Sequence, residues 1–120
     1  MNSPRKVLLI DNAPDRKERI KALRERGYNV FPALKMDEAR SRCMRGAYDL
    51  VLVHADAQPE QAMQFCDEIR KQCPKQLLLM SSRNTGERDY TVGADIPTLV
   101  QRVDRLLQNE GQSTNLANAA

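Results

Sequence analysis

His54 is the one histidine of the chain. It closes the run Tyr48-Asp49-Leu50-Val51-Leu52-Val53, an apolar stretch that reads as a buried strand. In a parallel α/β sheet, ligands bind just beyond the carboxyl ends of such strands. An imidazole there is placed to hydrogen-bond, titrate or act as a nucleophile. Asp11 ends another apolar run, Val7 to Ile10, and Ser81 follows a third, Leu77 to Met80. A carboxylate, an imidazole and a hydroxyl thus stand at three strand ends. Cys43, Cys66 and Cys73 are odd in number and form no CxxC pair, which argues against a disulfide framework or a zinc site. They read as reduced, mostly buried thiols.

The elements that position these groups alternate. Pro14 suits the first turn of a helix whose inner face is Ile20 and Leu23 and whose stop is Gly27. Tyr28 to Pro32 is a short strand, in which the apolar residues Tyr28, Val30 and Pro32 alternate. Asp37 to Arg45 is a second helix, with Ala39 and Cys43 inward, ended by Gly46. Asp49 to Val53 is the third strand. Pro59 to Gln72 is a third helix, with Ala62, Phe65, Cys66 and Ile69 at helical spacing and Pro74 beyond it. Leu77 to Met80 is the fourth strand, Asp89 to Val92 an irregular fifth, and Pro97 to Gln108 a last helix. This alternation predicts a parallel sheet with helices on both faces. Eight residues separate Met80 from Asp89. A parallel crossover normally takes a dozen or more with a helix, so this one is expected to be a loop of at most about 28 Å.

The chain of 120 residues, 41% hydrophobic and 29% charged, fits one soluble domain. No apolar run approaches the roughly 20 residues of a membrane span. The N-terminus leads straight into a strand, so a cytoplasmic location is the expectation. Residues 109–120 read as a mostly disordered tail after a domain at 1–108. The net charge is +3, with basic residues crowding the first helix (Arg16, Lys17, Arg19, Lys21, Arg24, Arg26) and the second (Lys35, Arg40, Arg42, Arg45). These read as solvated faces, with an acidic partner or nucleic acid as the alternative.

The chain resembles a response-regulator receiver domain over residues 5 to 107. The resemblance rests on Lys6-Val7-Leu8-Leu9-Ile10-Asp11, on Tyr48 to Val53 at the expected distance, on Ile69-Arg70 closing the third helix, on Leu79-Met80-Ser81-Ser82, and on Pro97 to Leu107. It implies a flavodoxin-like α/β three-layer sandwich with a five-stranded parallel sheet in the order 2-1-3-4-5, here with the fourth crossover helix shortened or missing. It also implies a phosphorylation pocket that has been taken apart. Of the two acids at the metal position, only Asp11 remains, beside Asn12. The phospho-acceptor position holds His54. The hydroxyl position holds Ser81, the phosphate-binding lysine position holds Gly93, and the switch aromatic position holds Tyr90.

An aspartyl phosphate needs a carboxylate nucleophile; no neighbouring lysine remains to stabilise the transferring group, and two carboxylates that would hold the metal are gone. Phosphorylation of His54 or of the nearby Asp56 is the weaker reading. His54 is expected as a neutral imidazole filling the pocket, hydrogen-bonded to Asp11, Asn12 or Ser81, with Asp11 solvated or paired to protonated His54. The resulting expectation is a stand-alone pseudo-receiver, not an enzyme and without a cofactor or metal, that binds a protein partner in a two-component-like or regulatory pathway. Candidate partner surfaces are the first-helix face, with Arg19 and Arg26, and the edge near Arg83 and Arg88. The alternatives are a flavodoxin-like small-ligand binder or enzyme, and nucleic-acid binding through the first two helices. The loop Asp11 to Asp15 has no glycine to cradle a phosphate, which counts against the first. Aromatic residues are few for base stacking, which counts against the second.

Overall fold

The computed structural model describes residues 4–44, 48–55, 59–82, 91–93 and 95–119. The elements are β1 (Lys6–Ile10), α1 (Arg16–Glu25), β2 (Asn29–Ala33), α2 (Met36–Met44), β3 (Leu50–His54), α3 (Pro59–Gln72), β4 (Leu77–Ser82), β5 (Thr91–Gly93) and α4 (Ile96–Ala119). The sheet has five strands in the order β2-β1-β3-β4-β5, and every pairing is parallel.

Side chains alternate between the two sheet faces, as strand geometry requires. Leu8, Ile10, Val51, Val53, Leu78 and Met80 join Ala39, Cys43, Ala62, Phe65, Cys66 and Ile69 in one core layer. Val7, Leu9, Leu50, Leu52 and Leu79 join Leu23, Leu99, Val103 and Leu107 in the other. The helices α2 and α3 therefore cover one face, and α1 and α4 the other. The central strands are buried on both faces, which is why they read as unbroken apolar runs.

Local chemistry sets the ends. Pro14 lies two residues ahead of α1, in the turn after β1 instead of in the helix. At the other end Gly27 has φ +93°. Its N–H donates to the Arg24 carbonyl at 2.9 Å, and the Tyr28 N–H to the Leu23 carbonyl at 3.3 Å. This pair of bonds satisfies carbonyls the helix leaves open, and its left-handed residue favours glycine. Pro32 was expected to alternate inward. It is exposed on the edge strand β2 instead, where a missing N–H is tolerated. Outside the sheet, the Arg24 Nη2 donates to the Val30 carbonyl at 3.2 Å and the Arg42 Nη1 to the Pro32 carbonyl at 3.1 Å. One arginine comes from each helical layer, and together they cover the open edge.

Several bounds differ from the sequence reading by a residue or two: β2 is Asn29–Ala33 where Tyr28 to Pro32 was expected, β4 extends to Ser82, and β5 is Thr91–Gly93 among the described residues. α4 spans Ile96–Ala119 and so runs through 109–119, the segment whose composition suggested a tail. No proline follows Pro97 to stop it. Its buried residues among those described are Leu99, Val103 and Leu107. Gly46, Asp56 and residues 83–90, with Arg83, Arg88, Tyr90 and the shortened fourth crossover, lie outside the described residues.

Candidate functional site

The register brings three of the singled-out side chains together. Ile10 pairs with Val53, and His54 pairs with Ser81. Asp11 therefore leaves β1 next to the end of β3, and Ser81 lies beside His54 on β4. By the period of two, all three continue the face that carries Leu9, Leu52 and Leu79, the side of α1. Asp11 is 3% exposed, His54 8% and Ser81 0%.

Burial of these groups requires partners. His54 Nδ1 lies 2.8 Å from Ser81 Oγ. Asp11 is held by Arg19, not by His54 and not by solvent. Arg19 Nε donates to Asp11 Oδ2 at 2.6 Å and Arg19 Nη2 donates to Asp11 Oδ1 at 3.1 Å. The Ala13 N–H donates to the same Oδ1 at 3.0 Å. Arg19 Nη2 also reaches Asp15 Oδ1 at 2.7 Å. The two carboxylates raise the Arg19 guanidinium above its ordinary range against the opposing effect of burial, and the hydrogen bond from Arg19 holds the Asp15 carboxyl below its own.

This corrects the expectation that Arg19 belongs to a partner surface. Arg19 is 2% exposed and points inward onto Asp11. Its spacing to Asp15 is the i, i+4 step of a helical ion pair and was readable in the sequence. Its reach to Asp11 was not, because it depends on the turn between β1 and α1. Arg26 is exposed but engaged: together with the Tyr28 hydroxyl it donates to Asp104 of α4. Burial and the neighbouring Asp104 push the Tyr28 hydroxyl pKa upward. Gly93 lies in β5 with its Cα opposite Ser82, one strand away from the His54–Ser81 pair.

A cleft of about 570 Å³ opens at the carboxyl ends of β1 and β3, between α2 and α3. Asp11, Asn12, His54 and Ala55 line it from the sheet, Leu34, Lys35, Met36 and Arg40 from the α2 side, and Gln61 and Gln64 from α3. Arg40 ties the two helices together. Its Nε donates to Glu68 of α3 at 2.9 Å and its Nη1 to Asp37 at 3.1 Å, and its guanidinium carbon lies 5.8 Å from the Phe65 ring centroid. The place of this cleft at the strand ends follows the general rule for parallel sheets, whereas its walls come from segments distant along the chain.

No protein-family model matches the sequence, and neither does any curated protein. Solved structures do. An orphan response regulator of H. pylori is 21% identical, over 89% of this chain and 99% of that one, with a TM-score of 0.72. The response regulator TrrA of Thermotoga maritima, solved with Mg²⁺ and beryllofluoride, is 24% identical over 86% and 99%, with a TM-score of 0.74. An atypical orphan response regulator described as having a phosphorylation-independent regulatory mechanism is 23% identical over 86% and 95%, with a TM-score of 0.70. The fold of this chain is that of receiver domains.

Receiver pockets hold Mg²⁺, a hard cation that selects oxygen anions. The donors here do not fit it. Both oxygens of Asp11 accept from Arg19, Asn12 is neutral, and an imidazole ends β3. Among the described residues no group of three His, Cys, Asp or Glu side chains is gathered for a metal.

Proposed function

We propose that this chain, built on the receiver fold, works as a phosphorylation-independent signalling module that acts by binding a protein partner in a two-component-like or regulatory pathway. The observation that carries the reading is the Arg19–Asp11 pair. A guanidinium takes up the carboxylate that a receiver offers to its metal. At the next strand end, His54 shares a hydrogen bond with Ser81, the hydroxyl a receiver turns toward the phosphoryl group. Asp11 and Ser81 are thus both engaged by other side chains of this chain. Catalysis, a cofactor and a resident metal have no part in this reading, and a cytoplasmic location goes with it.

The fold relatives agree with this direction without deciding it. One is described as acting independently of phosphorylation, and TrrA has been solved in complex with the histidine kinase ThkA. The nucleic-acid alternative is weakened by the fate of its basic helices. Arg19, Arg24, Arg26, Arg40 and Arg42 are all engaged within the fold, and Lys21 lies 4.0 Å from Glu25.

The test is an NMR titration with Mg²⁺ and beryllofluoride, a mimic of the aspartyl phosphate. The expected result is no saturable change at Asp11, His54 or Ser81. A saturable shift at these residues at ordinary concentrations overturns the reading.

A further inference from the structure

We propose that the cleft between α2 and α3 receives a protein segment carrying an acidic side chain next to a large apolar one. The inference rests on the reading of the chain as a protein-binding module and gives that module a surface.

Three features of the cleft lip point to this occupant. Leu34 is 49% exposed, the one exposed large hydrophobic side chain among the described residues. It stands at the mouth of the cleft with the half-buried Met36, so an apolar side chain entering there removes both from water. Lys35 lies between them, is exposed, and is without an ion pair among the described residues. That sets it apart from Arg19, Lys21, Arg26, Arg40 and Arg42, each of which holds a carboxylate.

The acids that face the cleft are each paired from within, Asp11 sharing Arg19 with Asp15 and Asp37 sharing Arg40 with Glu68, which reduces their repulsion of an incoming carboxylate. The amides of Asn12, Gln61 and Gln64 supply donors beside Lys35. The cleft offers an anion one open cation, several amide donors and an apolar lip.

The neighbouring edge strand directs the partner into the cleft. A segment adding to β2 as a further strand would need its open carbonyls, and those of Val30 and Pro32 already accept from Arg24 and Arg42. Pro32 also lacks an N–H. Recognition through side chains in the cleft remains open, whereas a strand adding to β2 has to compete with these two arginines and forgo one N–H.

The experiment is a selection of randomised peptides displayed on phage against the full chain, followed by ¹H–¹⁵N mapping of the selected peptides. Peptides with Asp or Glu beside Leu, Ile, Met or Phe are expected. Their shifts should centre on Leu34, Lys35 and Met36, and Lys35→Glu and Leu34→Ser should each weaken binding about tenfold or more. Both positions are exposed, so the variants should keep the wild-type spectrum elsewhere, and Lys71→Glu at the exposed end of α3 serves as the control. The proposal is overturned if no peptide is enriched, if the peptides map to another face, or if both substitutions leave affinity unchanged. It is also overturned if a free mononucleotide or small carboxylic acid fills the cleft at micromolar concentration, which would make the cleft a small-molecule site. Peptides mapping to another face leave the protein-binding reading standing. A saturable beryllofluoride response, by contrast, removes that reading whatever the peptides do.

Discussion

Replacing Arg19 by methionine should destabilise the domain far more than any change on the exposed face of α1. Arg19 and Asp11 are 2% and 3% exposed. The substitution keeps most of the side-chain length and leaves Asp11 as a buried carboxylate whose described donor is the Ala13 N–H. Breaking a buried pair from one side costs about 3–5 kcal/mol, a large share of the roughly 5–15 kcal/mol that holds a domain folded. At about 4 °C per kcal/mol for a chain of this size, the melting temperature should fall by roughly 10–20 °C. The partner substitution should be milder. In Asp11→Asn, Arg19 still has Asp15 at 2.7 Å, and Asp15 is half exposed, so a cost of about 1–3 kcal/mol is expected. The double variant Asp11→Asn/Arg19→Met removes the stranded charge and should be more stable than Arg19→Met alone. The assay is urea unfolding at pH 7 of all four proteins, read as a double-mutant cycle. The reasoning is refuted if Arg19→Met costs under about 1 kcal/mol, if Asp11→Asn costs more than Arg19→Met, or if the double variant loses the sum of the singles.

Four further outcomes are expected. His54→Asp restores a carboxylate at the end of β3 but should not confer a beryllofluoride response, because Arg19 still occupies both oxygens of Asp11; a saturable NMR shift in that variant would contradict it. Burial pushes the Cys43 thiol up to about 11, so Cys43 and the fully buried Cys66 should resist iodoacetamide at pH 8 in the native protein and react on unfolding, with the half-buried Cys73 reacting first, as peptide mass mapping would read. Gly27→Ala should cost about 1–2 kcal/mol from its φ of +93° alone, since an added Cβ there meets nothing within 4 Å, and a denaturant midpoint checks it. Asp15 has its carboxyl lowered by Arg19, so its contribution is present above the ordinary value of 3.8 and is lost as pH falls through the lowered one; Asp15→Asn should trail wild type by at most about 0.5 kcal/mol at pH 7, with the gap closing below pH 3.8 in acid-unfolding curves.

The layered architecture was legible because its cause is local. Val7 to Ile10, Leu50 to Val53 and Leu77 to Met80 are continuous apolar runs because helices cover both faces of the central strands. Pro59 to Gln72 shows its inner face at helical spacing, and its limits match α3. Gly27 marked the stop of α1 because a left-handed residue there favours glycine. The edges were harder to read. Pro32 looked inward by alternation, but alternation cannot tell an edge strand from a central one.

By itself the sequence determined that Asp11, His54 and Ser81 would stand at the ends of three strands, since each terminates an apolar run whose burial is set by composition alone. Only the tertiary structure decided what those groups do with one another. The parallel register sets His54 beside Ser81, and the turn between β1 and α1 swings Arg19, one cation among many on a basic helix, inward onto Asp11. The reason is physical: a buried carboxylate must find a counter-charge, and which cation can reach it depends on where the chain has placed both in space.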